Sequence, residues 1–380
     1  MRHLLPPVTL LPVRALARIL TAAAIAVAGG TAPADTPPPS TPAEPPARAV
    51  ELQRGVSWVG GPKEVTRDDL VPLVESHVGW IVQTPFGWQR RWDSPEIVLH
   101  TDSKVFWGER DVGIETTTRL ARELGIRTLL KPHVWLREKA DGKWRKDIRM
   151  ASEDDWRAWF ASYRELLLHY ARLAARLEIE ALCVGTELQG TVVEREQDWR
   201  RLIAEVRTVY PGQLTYAANW WREVEEVPFW DDLDFIGVQA YFPLAEDEHP
   251  SVEQLKAGWS EPLAALERLS RRLDRPVVFT EIGYRSVPHA GARPWEWPDA
   301  AEVGQTPSDQ SSQANAYEAF FQTFWHRPWF RGAYFWKWYP GRPTAENAYL
   351  AIDFTPQGKA AERVLARWYE GTAAGVTTPR

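Results

Sequence analysis

Between Arg54 and Tyr369 the chain alternates short β-branched apolar runs with longer stretches of helical spacing, and it does so eight times. That alternation limits the fold more than any other feature. Strands separated by amphipathic helices are joined by crossovers, so they lie parallel and are buried on both faces. The runs are Arg54 to Val59, Val78 to Thr84, Ile126 to His133, Ile179 to Gly185, Leu214 to Asn219, Phe235 to Tyr241, Val277 to Glu281 and Gly332 to Trp336. Helical patterns predict helices at Arg67 to Ser76, Ile114 to Leu124, Asp154 to Leu177, Glu196 to Val209, Val252 to Leu273 and Ser311 to His326. Gln357 to Tyr369 forms a closing helix, and only the fifth connection, around Trp221 to Asp231, is weak. Eight such units predict an α/β fold, a (β/α)8 TIM barrel with one catalytic domain, whose active site lies at the carboxyl ends of the strands. An open doubly wound sheet is the alternative. Its dinucleotide fingerprint is missing, because the first strand turns through Gly55-Val-Ser-Trp-Val-Gly-Gly61 without G-x-G-x-x-G spacing.

Two runs end in a carboxylate. Ile179 to Gly185 leads to Glu187, and Val277 onward ends at Glu281, followed by Ile282, Gly283 and Tyr284. An ionised group buried alone is costly, so both belong at the mouth of the barrel, where partners or substrate compensate the charge. An ion pair with Arg285 would be the purely structural reading of Glu281. Other chemistries lack their motifs: there is no H-E-x-x-H, no G-x-S-x-G and no P-loop, and the eight histidines are scattered. The net charge of −6 is spread without a basic patch, which argues against nucleic acid. The one cysteine, Cys183, sits inside an apolar run and reads as a core thiol. What remains is a pair of strand-end carboxylates, the equipment of glycoside hydrolysis, which needs neither metal nor organic cofactor. The 21 tryptophans exceed what one core is expected to use, so some should meet flat amphipathic ligands such as sugar rings. The long loops after strands two and seven supply candidates in Trp88, Trp92, Trp107, Trp295 and Trp297.

Other strand ends add candidates for substrate binding. Lys131 and His133 share one face by alternation and are expected at the rim, reaching sugar hydroxyls, with a salt bridge as the plainer reading of Lys131. Asn219 precedes Trp220-Trp221; Trp58 and Gln83 are weaker, and Arg54 falls at the opposite end. The amino terminus carries Arg2, Arg14 and Arg18, an apolar run from Ile19 to Ala28, then Ala32-Pro-Ala34. This is a signal-peptide pattern, with a retained anchor as the alternative, since the run is short for a bilayer span. The expected organisation is a signal peptide at 1–34, a proline-rich spacer at 35–50, the barrel at 51–371 and a tail at 372–380. It implies a secreted or periplasmic protein, a carbohydrate partner and no stable membrane insertion once the signal is cleaved.

The motifs Cys183-Val-Gly-Thr-Glu-Leu188, Gln239-Ala-Tyr-Phe-Pro-Leu244, Phe279-Thr-Glu-Ile-Gly-Tyr284 and Tyr334-Phe-Trp-Lys-Trp338 resemble glycoside hydrolase family 113, in the large clan of retaining barrel glycosidases. The likeness runs from Glu51 to Tyr369. It implies that Glu187 is the acid/base and Glu281 the nucleophile, that Tyr241 hydrogen-bonds the nucleophile, and that Trp336 floors the sugar site; Trp338, in phase with Trp336, is a further candidate for substrate binding. Thr186 stands where the clan usually carries Asn. The implied substrate is β-1,4-mannan. A transglycosylase, a glycosidase of another β-linkage and a non-catalytic carbohydrate-binding barrel are the competing readings.

Overall fold

The computed structural model describes residues 52–138, 141–298, 301, 303–343 and 347–374. The expected signal peptide and spacer lie outside these residues. The described residues form eleven strands: β1 (Gln53–Trp58), β2 (Trp80–Gln83), β3 (Phe86–Gln89), β4 (Ile97–Leu99), β5 (Arg127–Leu130), β6 (His133–Leu136), β7 (Ala181–Thr186), β8 (Gln213–Asn219), β9 (Phe235–Gln239), β10 (Val277–Ile282) and β11 (Phe330–Trp338). Eight of them, β1, β2, β5, β7, β8, β9, β10 and β11, close in that order into a parallel barrel, the (β/α)8 fold read from the sequence. Strands alternate side chains between two faces, and the apolar core accordingly splits in two. One cluster, including Trp80, Val82, Leu129, Cys183, Ala217 and Tyr334, fills the barrel. The larger one packs the barrel against the helices, with Tyr216, Trp199 and Phe279 among its members.

The helices fall where the periodicity placed them, with differences that have local causes. Glu153–Arg176 begins at Ser152, whose hydroxyl accepts from the Asp155 N–H at 3.1 Å. The predicted helix from Val252 to Leu273 is two, Val252–Gly258 and Ser260–Leu273; Gly258 ends the first and Pro262 falls in the first turn of the second, where proline is tolerated. The weak fifth connection is a single turn, Glu223–Glu226, and a 3-10 turn at Trp230–Asp232. The closing helix spans Ala360–Ala374. At the amino end of β1, Arg54 donates to the carbonyls of His77 and Tyr369 at 2.9 and 3.2 Å, tying the last helix to the first strand.

The third barrel strand is shorter than its apolar run. Pairing stops at Leu130, and after Pro132, which has no N–H to give, the chain enters β6. There β6 pairs with β3, and β3 with β4, forming a three-stranded sheet from segments read as loops. His133 therefore opens a rim strand, opposite Phe86, and does not end a barrel strand.

Candidate active site

β10 shows how the barrel presents an acid. Simple alternation would put Glu281 in phase with Val277 and Phe279, which face the helices. The pairing of β10 shifts register against both neighbours between Val278 and Ile282. The irregularity turns Glu281 inward beside Thr280, the re-aiming that bulges perform near active sites. Its carboxylate is almost buried and has three donors. Lys131 Nζ lies 2.7 Å from Oε2, Gln239 Nε2 donates to the same oxygen at 3.0 Å, and the Tyr241 hydroxyl donates to Oε1 at 2.6 Å. Burial alone would raise this carboxyl, but Lys131, Tyr241 and Gln239 together outweigh it and hold it below the usual carboxylate range. Glu281 is thus kept ionised in a dry setting.

Lys131 corrects the sequence expectation. It is fully buried, and its ammonium is shared among Glu281, the Thr280 carbonyl at 3.0 Å and Gln239 Oε1 at 3.3 Å. It has no donor left for a sugar at the rim; the salt-bridge reading holds, with Glu281 as partner. Arg285 is not that partner, and its Nε faces the Ile352 carbonyl at 3.4 Å.

Glu187 follows β7, again after a register shift, between Cys183 and Thr186. Its backbone takes the left-handed conformation, φ +52°, which a non-glycine residue adopts only when its surroundings hold it. Asn219, at the end of β8, donates from Nδ2 to Oε1 at 3.0 Å. Arg145 grips Oε2 with Nε and Nη2, both at 2.8 Å. The same guanidinium reaches His133 Nδ1 from Nη1 at 3.2 Å. Arginine can only donate, so Nδ1 accepts and the imidazole proton sits on Nε2. Burial, then Arg145 and Lys131, push the His133 pKa well below its ordinary value, so the ring is neutral. Its Nε2–H has no partner among the described residues.

The aromatic candidates divide. Trp336 is half-buried, and its ring lies 5.7 Å from Trp297, which is exposed. Lys337, paired with Asp353 at 3.2 Å, holds its ammonium 4.7 Å from the Trp297 ring and 5.8 Å from Trp336, bracing both. Trp295 is also exposed and stacks on Trp220 at 5.6 Å. Trp88, Trp92 and Trp107 are half-buried. Trp58 and Trp338 are not at the mouth. They stand opposite each other across a register shift in the β1–β11 pairing and are buried among helix-facing residues. Trp336 and Trp338 were expected in phase, but alternation does not carry through that irregularity. Gln83 likewise faces outward, donating to Thr118 Oγ1 at 2.9 Å.

Gln239 and Arg145 were missed as site residues. Gln239 had a signal, being in phase at a strand end beside the tyrosine motif. Arg145 had none, since one arginine in a polar loop looks like any other. Among the described residues no cluster of three or more His, Cys, Asp and Glu could hold a metal ion.

No match was found among curated protein sequences. Among solved structures, the GH113 β-mannanase AaManA from Alicyclobacillus acidocaldarius, in complex with ManMIm, is 30% identical. It superposes with a TM-score of 0.72 over 85% of this chain and 99% of its own. A GH113 β-1,4-mannanase is 25% identical, with a TM-score of 0.70 over 84% and 99%. A family 5 mannosidase from Rhizomucor miehei shares the fold, at 9% identity and a TM-score of 0.59 over 85% and 94%. The model of Glycoside Hydrolase Family 113 matches residues 59–359, and the chain belongs to that family of glycoside hydrolases.

Proposed function

We propose that this glycoside hydrolase is an exported β-1,4-mannanase that works by double displacement with retention of configuration. The observation that carries the mechanism is the contrast between the two carboxylates. Glu281 is locked ionised by Lys131, Tyr241 and Gln239, as a nucleophile must be. Glu187 lies at the mouth, where Asn219 and Arg145 donate to its carboxylate, and once protonated it can donate to an incoming glycosidic oxygen. In the first step a Glu281 oxygen bonds to the anomeric carbon, the glycosidic C–O bond breaks, and the departing oxygen takes the proton of Glu187. In the second, Glu187 removes a proton from water, whose oxygen displaces Glu281 and regenerates the free sugar. Arg145 must yield Glu187 before the proton is loaded, and substrate binding supplies the replacement contacts. The half-buried Trp336 with the exposed Trp297 suits the apolar face of a pyranose. The relatives described as β-mannanases support the substrate, and the amino-terminal pattern of Arg2, Arg14, Arg18 and the run Ile19 to Ala28 supports export.

The test is hydrolysis of mannan, glucan, xylan and aryl glycosides, with the first-formed product read by proton NMR. Mannan is expected to be cleaved best, releasing the β-anomer first. An initial α-anomer would overturn retention, and preference for another polymer would overturn the substrate.

A further inference from the structure

Behind Glu187, on the helix-facing side of β8, lies a carboxyl group that the mechanism does not use. Glu223 has no exposed surface, and the described residues offer it no cation partner within salt-bridge distance. Its Oε2 accepts from the backbone N–H of Asn219 at 2.7 Å, and its Oε1 is hydrogen-bonded to the Tyr216 hydroxyl. That hydroxyl oxygen also accepts the N–H of Leu188 at 2.6 Å. The two branches of this network end on the two elements that place Glu187. One fixes Leu188, immediately after the left-handed residue; the other fixes Asn219, whose side chain holds Glu187 Oε1 at 3.0 Å. A buried carboxyl without a cation is an expensive way to fill space, and an apolar residue would do so at lower cost.

We propose that Glu223 is a positioning residue for Glu187, acting through Tyr216 and Leu188 on one side and through Asn219 on the other. The proposal rests on Glu187 being the acid/base. Burial pushes the Glu223 carboxyl up to about 8, against the pull of the hydrogen bonds that Tyr216 and the Asn219 N–H donate to it, so near neutral pH it is a neutral acid that still presents an oxygen acceptor. Glutamine is likewise neutral, of the same length, and keeps an oxygen acceptor.

The experiment compares Glu223→Ala, Glu223→Gln and Tyr216→Phe on two substrates of the sugar that the wild-type enzyme cleaves best. One is the unactivated oligosaccharide; the other is a dinitrophenyl glycoside, whose leaving group needs no proton. Acid catalysis is worth about 100-fold to 10,000-fold. Misplacing Glu187 should forfeit at least about 10-fold of that in kcat/KM on the oligosaccharide, in Glu223→Ala and Tyr216→Phe. On the dinitrophenyl glycoside kcat/KM should stay within about 3-fold, because its first step requires only Glu281. Glu223→Gln should recover most of what Glu223→Ala loses. Equal losses on both substrates would mean general structural damage and would overturn the proposal, as would unchanged activity on the oligosaccharide. Tyr216→Phe carries the test if Glu223→Ala does not fold. A crystal structure of Tyr216→Phe gives a readout independent of turnover: Glu187 should leave Asn219, and an unmoved carboxylate overturns the proposal. Preference of the wild type for a polymer other than mannan would refute the mannan assignment alone, since the substrate pair is chosen from whatever it cleaves.

Discussion

The two glutamates differ in what each would leave behind. On the proposed mechanism Glu281→Ala removes the group that bonds to the anomeric carbon, so turnover should nearly vanish on every substrate, and azide should restore some activity with a glycosyl azide of inverted configuration. Glu187→Ala should spare the first step on dinitrophenyl glycosides, with azide giving the retained product. NMR of the anomeric proton separates the two, and swapped outcomes would exchange the roles. Lys131→Met tests what keeps Glu281 charged. With the ammonium gone, burial would dominate, the carboxyl would rise, and the acidic limb of kcat/KM should move to higher pH. Removing one partner of a buried pair also costs about 3–5 kcal/mol of stability, readable as a lowered denaturation midpoint. An unshifted acidic limb would mean that Lys131 does not set the charge of Glu281.

Single strands position the site through their irregularities. At the end of β7, Gly185 faces the packed rings of the outer core. A Cβ there would lie 2.8 Å from both Trp199 and Tyr216 and 3.1 Å from the Tyr163 hydroxyl. Gly185→Ala should therefore destabilise by about 1–3 kcal/mol, as overpacking does. It should also lower activity by shifting Glu187, which follows two residues later. Thermal unfolding and turnover should fall together; a variant of normal stability and activity would show that the strand end has slack. Tryptophan packing is also decided at this scale. Trp159, Trp199, Trp230 and Trp259 are almost fully buried between barrel and helices, so much of the indole excess is core material.

For the whole molecule, buried titratable groups set how stability follows pH. Burial raises Glu109 to about 7 and Glu223 to about 8, so in the folded state both keep protons that an unfolded carboxyl loses above about 4.5. From there to about pH 8 these two carboxyls bind more protons in the folded chain than in the unfolded one, and the stability they contribute should fall as pH rises. Lys359, lowered to about 7 by burial and hydrogen-bonded to Ser286 and the Asp353 carbonyl, acts in the opposite sense. Above about 7 the unfolded lysine binds a proton that the folded one has released, so its contribution recovers with pH. Melting temperature should thus decline from pH 5 toward 8, and Glu223→Gln should flatten the decline. A melting curve that rises over that range would contradict the assignment.

Much of this was written into the chain locally. Eight apolar runs alternating with amphipathic ones determine a parallel sheet, because each run must be covered on both faces and each crossover must return to the same sheet, and eight units are the number that the (β/α)8 barrel closes. Carboxylates that end two of those runs must come to the mouth, and the neighbours of Glu281 in sequence mark it as the organised one. What the sequence could not decide depends on residues far apart along it. Lys131 meets Glu281, 150 positions away, only when the barrel closes. Arg145 reaches Glu187 only because its loop folds over the mouth, and Trp338 turns away because β11 carries an extra residue against β1. Periodicity assigns a face to a side chain as long as the strand is regular. At strand ends, where the chemistry sits, pairing between distant segments overrides it.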